Sequence, residues 1–182
     1  MKRCRCNTYG SGLWYSWFDR NLKLVGRVLI KCFEDEKEKI KSVLFDSKIG
    51  IATTPCLAPH LDPGLRSRSP ISADINLIPI YGIESQTPPL LEYIGSKLNI
   101  DTKDIVSYDL HFIDLEPPTE LFEQNNSIIH SQRLNGLQNS YAVLKSFINS
   151  TPDEGTTSMI TIFDNEITGN KTRTSAGSNI ID

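Results

Sequence analysis

No apolar run in this 182-residue chain approaches the roughly 18–20 residues that a membrane-spanning helix needs, so no membrane segment is expected. Histidine is scarce. His60, His111 and His130 are the full set, and no two of them form a His-x-x-x-His pair, so a self-contained zinc site is hard to build from them. Cysteine gives little more. Of Cys4, Cys6, Cys32 and Cys56, only the first two are close, and a single Cys-x-Cys is a weak zinc signal. Unpaired thiols in a reducing compartment are the plainer reading. A net charge of −3 makes no electrostatic case for nucleic acid or an anionic membrane. The basic start, Met1-Lys2-Arg3-Cys4-Arg5-Cys6, is not followed by an apolar stretch and does not read as a secretory signal. There is no internal repeat and no low-complexity tract. What remains is 38% hydrophobic and 23% charged, the make-up of an ordinary globular protein, with material for one domain or two small ones.

Residues Leu24 to Cys32 are rich in β-branched side chains and predict a strand. The charged run Glu34 to Lys41 reads as a solvated turn, and Ile40 to Phe45 returns as the second arm of a hairpin. Ile49 to Thr54 is a short extended piece closed by Pro55. The cluster of Pro, Gly, Ser and Arg from Pro59 to Pro70 is a loop, and Ile75 to Tyr81 resumes an extended pattern. Thr87-Pro88-Pro89 is a helix-start signal, after which Leu90, Leu91, Ile94 and Leu98 share one helical face. Ile105 to Leu115 predicts a further strand, with His111 an ordinary member of it.

After Pro117-Pro118 the pattern changes. Ile128 and Ile129 suggest a short strand, and Asn139 to Ile148 a helix with Tyr141, Leu144, Phe147 and Ile148 on its buried side. A polar loop, Asn149 to Gly155, leads to the apolar run Met159–Phe163, which reads as a buried strand. The sum is a β-rich segment of about 100 residues followed by the opening of an α/β unit. That second unit is too short for a complete doubly wound domain.

The strand predicted at Met159–Phe163 ends on Asp164-Asn165-Glu166-Ile167-Thr168-Gly169, an acidic cluster where open α/β sheets present catalytic groups. Upstream stands Ser131-Gln132-Arg133-Leu134-Asn135-Gly136. The pair resembles two signatures of the vacuolar and aspartyl aminopeptidases, dinuclear zinc exopeptidases: an Arg-Leu-Asp element and a Phe-Asp-Asn-Glu-Glu-(Ile/Val)-Gly element. Gly10-Ser11-Gly12-Leu13-Trp14 with Trp17-Phe18-Asp19-Arg20-Asn21-Leu22 is similar to another segment of that family. So are Gly26-Arg27-Val28, Pro55-Cys56-Leu57-Ala58-Pro59-His60, Tyr108 to Asp114, and Thr172, Arg173 and Ala176. The likeness therefore runs in order along nearly the whole chain.

The resemblance implies an α+β or α/β architecture in which a β-rich dimerisation-type domain interrupts a zinc-peptidase α/β domain, here incomplete. By that analogy residues 1–24 are an N-terminal flank of the peptidase domain, 25–107 the insert, and 108–182 a partial peptidase domain. It also implies two zinc ions, held by His and carboxylate ligands, with one Asp bridging them and a Glu as general base. The bridging Asp corresponds to Asn135, a neutral amide, and a Glu ligand corresponds to Ile167, which has no donor atom. The family's first His ligand would precede Met1, and its last Asp and His would lie beyond Asp182. On this mapping no metal ligand is expected in the chain, and zinc is not expected to bind it tightly.

Two catalytic positions persist in the mapping. Glu166 matches the general base, and His60 matches a His that reaches from the insert into a neighbouring subunit's site. Each has a plainer alternative, a vestigial strand-end carboxylate and a solvated loop imidazole. The expectation is thus a metalloaminopeptidase relative that is inactive alone. The alternatives are a non-catalytic partner of a full-length aminopeptidase, assembling through the β-rich insert, and a truncated product without function. Peptide would be a substrate only in a completed site, neither nucleic acid nor membrane is a partner, and the expected location is cytoplasmic, with the vacuole as the alternative.

Overall fold

The computed structural model describes residues 1–10, 12–34, 36–58, 60–61, 71–121 and 128–180. In chain order the elements are β1 (Lys2–Arg3), a 3-10 turn at Trp14–Trp17, β2 (Leu22–Glu34), β3 (Lys37–Asp46), α1 (Ala73–Asn76), β4 (Ile80–Gly82), α2 (Leu90–Leu98), a 3-10 turn at Thr102–Asp104, β5 (Ile105–Asp114), β6 (Thr119–Leu121), β7 (Ile128–His130) and α3 (Leu134–Asn149). They divide into two compact units, one of Met1–Thr8 and Gly12–Glu116, the other of Tyr9–Ser11 and Pro117–Asp182. The mixture of strands and helices is the expected α+β make-up.

The first unit is built on a period of two. Alternate positions of β2 place Leu22, Leu24 and Val28 on one buried face, while Arg27 and Lys31 face solvent. β2 is the central strand of an antiparallel sheet in the order β3-β2-β5. On the buried face, Gly26 lies opposite Phe45 of β3 and Leu110 of β5. Its φ of 149° and the close approach of the Asp109 carbonyl leave no room for a Cβ, so only glycine fits there. α2 closes the face: Ile94 is fully buried with Leu24, Val28 and Phe45, and Tyr93 meets Phe45 edge-on with ring centroids 6.3 Å apart. Burying each of these side chains contributes about 1.5–3 kcal/mol. Asn99, in the left-handed conformation, ends α2, its N–H bonding the Gly95 carbonyl.

Segment Ser47–Thr54, which follows β3, is fastened to this sheet by polar groups. The buried Ser47 hydroxyl accepts from Leu24 N–H (3.1 Å) and donates to the Ile49 carbonyl (2.8 Å). Ala52, Thr53 and Thr54 make isolated bridges to Leu22, Ile80 and Phe18 rather than a continuous strand. The smaller ladder β1-β4 completes the unit.

Four expectations are corrected. The charged run is not a turn throughout, because the hairpin ladder extends to the Glu34–Lys37 pair, supported by ion pairs Lys31–Glu38 and Lys39–Glu34. Ile75 and Asn76 are helical: Ser72 N–H binds the Asn76 side chain and Leu77 N–H the Ala73 carbonyl, a one-turn device invisible to a hydrophobic pattern. Met159–Phe163 is irregular, with no strand among the described residues to give it a ladder. Finally, α3 starts five residues earlier than expected, and of its four supposedly buried side chains only Phe147 is half-buried. Tyr141, Leu144 and Ile148 are 67, 44 and 66% exposed, since no described layer covers them. The loop expected from Pro59 to Pro70 lies outside the described residues except at His60 and Leu61.

The second unit holds the β6-β7 hairpin, α3, and a C-terminal stretch of turns. No helix of the described residues is long and apolar enough to cross a membrane.

Candidate functional site

Arg133, at φ 61°, turns the chain into α3 with no side-chain cap on the helix. Asn135 therefore lies in the exposed first turn. Its Oδ1 accepts a hydrogen bond from Asn139 Nδ2 at 3.2 Å, the i to i+4 spacing of one helical turn. One lone-pair oxygen of a neutral amide is thus already engaged in a local helix contact.

The acidic cluster folds as a tight turn rather than a strand end. Asn165 takes φ 65°, its N–H bonds Asp164 Oδ1 at 2.7 Å, and its side-chain amide donates to Thr172 Oγ1 at 3.2 Å. Gly169 N–H closes the turn on the Glu166 carbonyl at 3.0 Å, and Asn170 N–H on the Asn165 carbonyl at 3.0 Å. The Glu166 carboxylate is exposed. Behind the turn, the fully buried Ser175 donates to the Thr172 carbonyl at 2.8 Å. Ile167 lies against Gly10, whose missing side chain leaves the space that Ile167 Cγ2 occupies. Gly10 also has φ 75°, so glycine is required twice over.

Among the described residues no hydrogen bond or ion pair links Asn135 to Glu166, and no three His, Cys, Asp or Glu side chains converge as a metal cage. Asn135 and Ile167, at the positions the resemblance equates with metal ligands, do not fit a zinc pair. A neutral amide cannot supply two anionic oxygens, and an isoleucine supplies no donor. His60 is an exposed turn residue of the first unit. His111 sits on β5 with Nε2 3.2 Å from Asp109 Oδ1, and all four cysteines are free thiols. Burial pushes the half-buried Cys4 thiol above its ordinary range.

Two residues that pattern reading left without a role hold the first unit together. Asp19, at φ 58°, accepts from Cys56 N–H (2.9 Å) and donates its own N–H to the Thr54 carbonyl (2.9 Å). Arg20 bonds Asp114 (2.6 Å), Glu116 (2.9 Å) and the Ser16 carbonyl (2.9 Å), joining the start of β2 to the end of β5. The signal for both was the Trp-Phe-Asp-Arg string, which is local in sequence while its partners lie up to 96 residues away.

An antiparallel sheet sealed by one helix in the first unit, and a hairpin, a helix and a stretch of turns in the second, make the chain an α+β protein. The chain belongs to the aminopeptidase I zinc metalloprotease family (M18), whose profile matches residues 1–182. It is 29% identical over 181 residues to the "Probable M18 family aminopeptidase 2" of Clostridium acetobutylicum, covering 95% of this chain and 40% of that protein. In structure it resembles an Ape4 chain solved in complex with Nbr1 (TM-score 0.78, 25% identity, 98% of this chain and 38% of that one). It also shares the fold of the S. cerevisiae mApe1 dodecamer (TM-score 0.60, 20% identity, 95% of this chain and 39% of that one). The chain spans about 40% of the length of the curated relatives it matches, from 34 to 44%.

Proposed function

We propose that this chain is a structural portion of an M18-type aminopeptidase, with no self-sufficient dizinc site and no peptidase activity of its own. The observation that carries the reading is the pair Asn135 and Ile167. One is an amide tied to Asn139, and the other is an aliphatic side chain seated on Gly10. Glu166 retains a carboxylate in reach of solvent, but a general base without an activated water has little to deprotonate. Zinc belongs to the family, and these two positions give it no anionic donor. In this reading residues 25–107 are the inserted β-rich domain, flanked by 1–24 and 108–182 as parts of the peptidase domain.

The same chain assembles into oligomers through the β2–β3 hairpin, with itself or with an active relative. Phe33, Ile40 and Leu44 support this: they stand 76, 60 and 83% exposed on the solvent face of that hairpin. His60 would then be the residue presented to a neighbouring subunit. The free thiols suit a cytoplasmic site of action, the vacuole being the alternative.

The test is hydrolysis of peptides with N-terminal Leu or Asp by the purified chain, with zinc or manganese supplied, alongside light scattering. No turnover, together with an oligomer that Ile40→Lys and Leu44→Lys dissociate, supports both halves. Chelator-sensitive turnover refutes the first half, and a monomer refutes the second.

A further inference from the structure

Asn135 is followed by Gly136, and no other asparagine of the chain precedes a glycine. The side-chain amide of an asparagine is open to attack by the backbone nitrogen of the next residue, and glycine, with no Cβ, shields that nitrogen least. Thr, Leu, Ile, Asn, Ser, Glu or Lys follows each of the others.

The structure leaves the same pair open to reaction. Both residues are exposed, and nothing lies within 4 Å of a Cβ added at Gly136. They are the second and third residues of α3, so the Gly136 N–H is among those that a helix leaves without an intrahelical partner. The Arg133 cap, at φ 61°, provides no side-chain hydrogen bond to hold that turn. Asn139 Nδ2 donates to Asn135 Oδ1 at 3.2 Å and so draws electrons from Cγ, the carbon under attack. Ring closure requires Asn135 to leave the helical ψ, and an uncapped first turn with glycine in third place opens readily.

We propose that Asn135 is a site of spontaneous covalent modification, where the side-chain amide is exchanged for a carboxylate with water as the only co-reactant. The Gly136 nitrogen gives its proton to solvent base and bonds to Asn135 Cγ. The Cγ–Nδ2 bond breaks, and Nδ2 takes up a proton and leaves as ammonia. Water then opens the five-membered imide at one of its two carbonyls, with no oxidation or reduction. Opening at Cγ gives aspartate, and opening at the backbone carbonyl gives isoaspartate, in which the main chain runs through Cβ and Cγ. The chemistry rests on the dipeptide and the helix start, not on the function proposed above. Its aspartate product places an anionic carboxylate at the first turn of α3, where the helix dipole favours it, while Ile167 still offers no donor. Its isoaspartate product adds a backbone carbon and breaks the one-turn register that joins positions 135 and 139.

The purified full chain, folded or unfolded in urea, is held in mildly alkaline buffer and digested at intervals. Replacing NH2 by OH makes the affected peptide about 1 Da heavier. Isoaspartate is counted separately, by methyl transfer from S-adenosylmethionine with an isoaspartyl methyltransferase. In the folded chain, Asn135 should convert about tenfold or more faster than Asn139 or Asn149, each followed by serine, with isoaspartate among the products. Gly136→Ala should slow the reaction by about tenfold or more in the unfolded chain as well, where helix stability plays no part. The folded rate at Asn135 should lie within about tenfold of the unfolded rate, because the first turn of α3 opens locally. Equal rates at the three asparagines, indifference to Gly136→Ala, or a product without isoaspartate overturns the proposal. A folded rate further below the unfolded one overturns it too, since α3 would then protect the pair.

Discussion

Two glycines with opposite surroundings give opposite predictions for the same substitution. At Gly26 an added Cβ overlaps the Asp109 carbonyl oxygen and comes within 2.9 Å of Leu110 Cα, both in the backbone of β5. These atoms cannot rotate away without opening the β2–β5 ladder. The residue also has φ 149°, a conformation that costs an L-residue about 1–3 kcal/mol. Forced overpacking adds about 1–3 kcal/mol, giving roughly 2–6 kcal/mol in all. Set against a total stability of about 5–15 kcal/mol, Gly26→Ala should remove a large share and at the upper end unfold the first unit. Gly136, in the first turns of α3, has nothing within 4 Å of an added Cβ. Gly136→Ala should stabilise the helix by about 0.5–1 kcal/mol. Hydrogen exchange resolved by peptide is the assay, because it reports each unit separately. Gly26→Ala should deprotect β2, β3 and β5 together, and Gly136→Ala should slow exchange in α3. A Gly26→Ala protein with wild-type protection in β2 would refute the close approach of β5 and the packing built on it.

Ile94→Ala removes a fully buried side chain between α2 and the sheet and should cost about 2–5 kcal/mol by urea unfolding, whereas Ile40→Ala on the exposed face of β3 should stay within about 0.5. The Asp46 carboxyl is held down from 3.8 to about 2, first by the Lys48 N–H and then by the Lys48 and Lys23 ammonium groups. Its folded value lies below its unfolded one, so its contribution is complete above about pH 4 and is lost as pH falls toward 2. Asp46→Asn should flatten the stability curve across that window, as measured by acid titration of the fluorescence of Trp14 and Trp17. Ile167→Ala should ease the strain of Gly10→Ala by about 1 kcal/mol or more in a double-mutant cycle on thermal unfolding, the backbone part at φ 75° remaining.

The first unit was legible because its code is short in range. The alternation in β2, the return of β3, the Pro-Pro start of α2 and the long strand of β5 each appear within ten to thirteen residues of sequence. The second unit was less so. Met159–Phe163 has the composition of a strand, but a strand is completed by a neighbour's hydrogen bonds, and none is supplied among the described residues. Tyr141, Leu144 and Ile148 of α3 were read as buried for the same reason: an apolar pattern states what a helix can pack against, not whether the cover is present. β1 and β6 are short and polar, Lys2–Arg3 and Thr119–Leu121, and carry no signal at all. At the candidate site the identities of Asn135 and Ile167 were plain in the sequence. The Asn139 contact, the Gly10 seat and the tight turn at Glu166 were not, because each depends on backbone conformation.

The central claim is that positions 135 and 167 leave this chain without a self-sufficient zinc site. It is tested most directly by the zinc content of the purified full chain after dialysis against excess zinc, read by elemental mass spectrometry. The account predicts well under one zinc per chain. Two zinc ions per chain that survive dialysis and are lost with a substitution at Asn135 or Glu166 would contradict it.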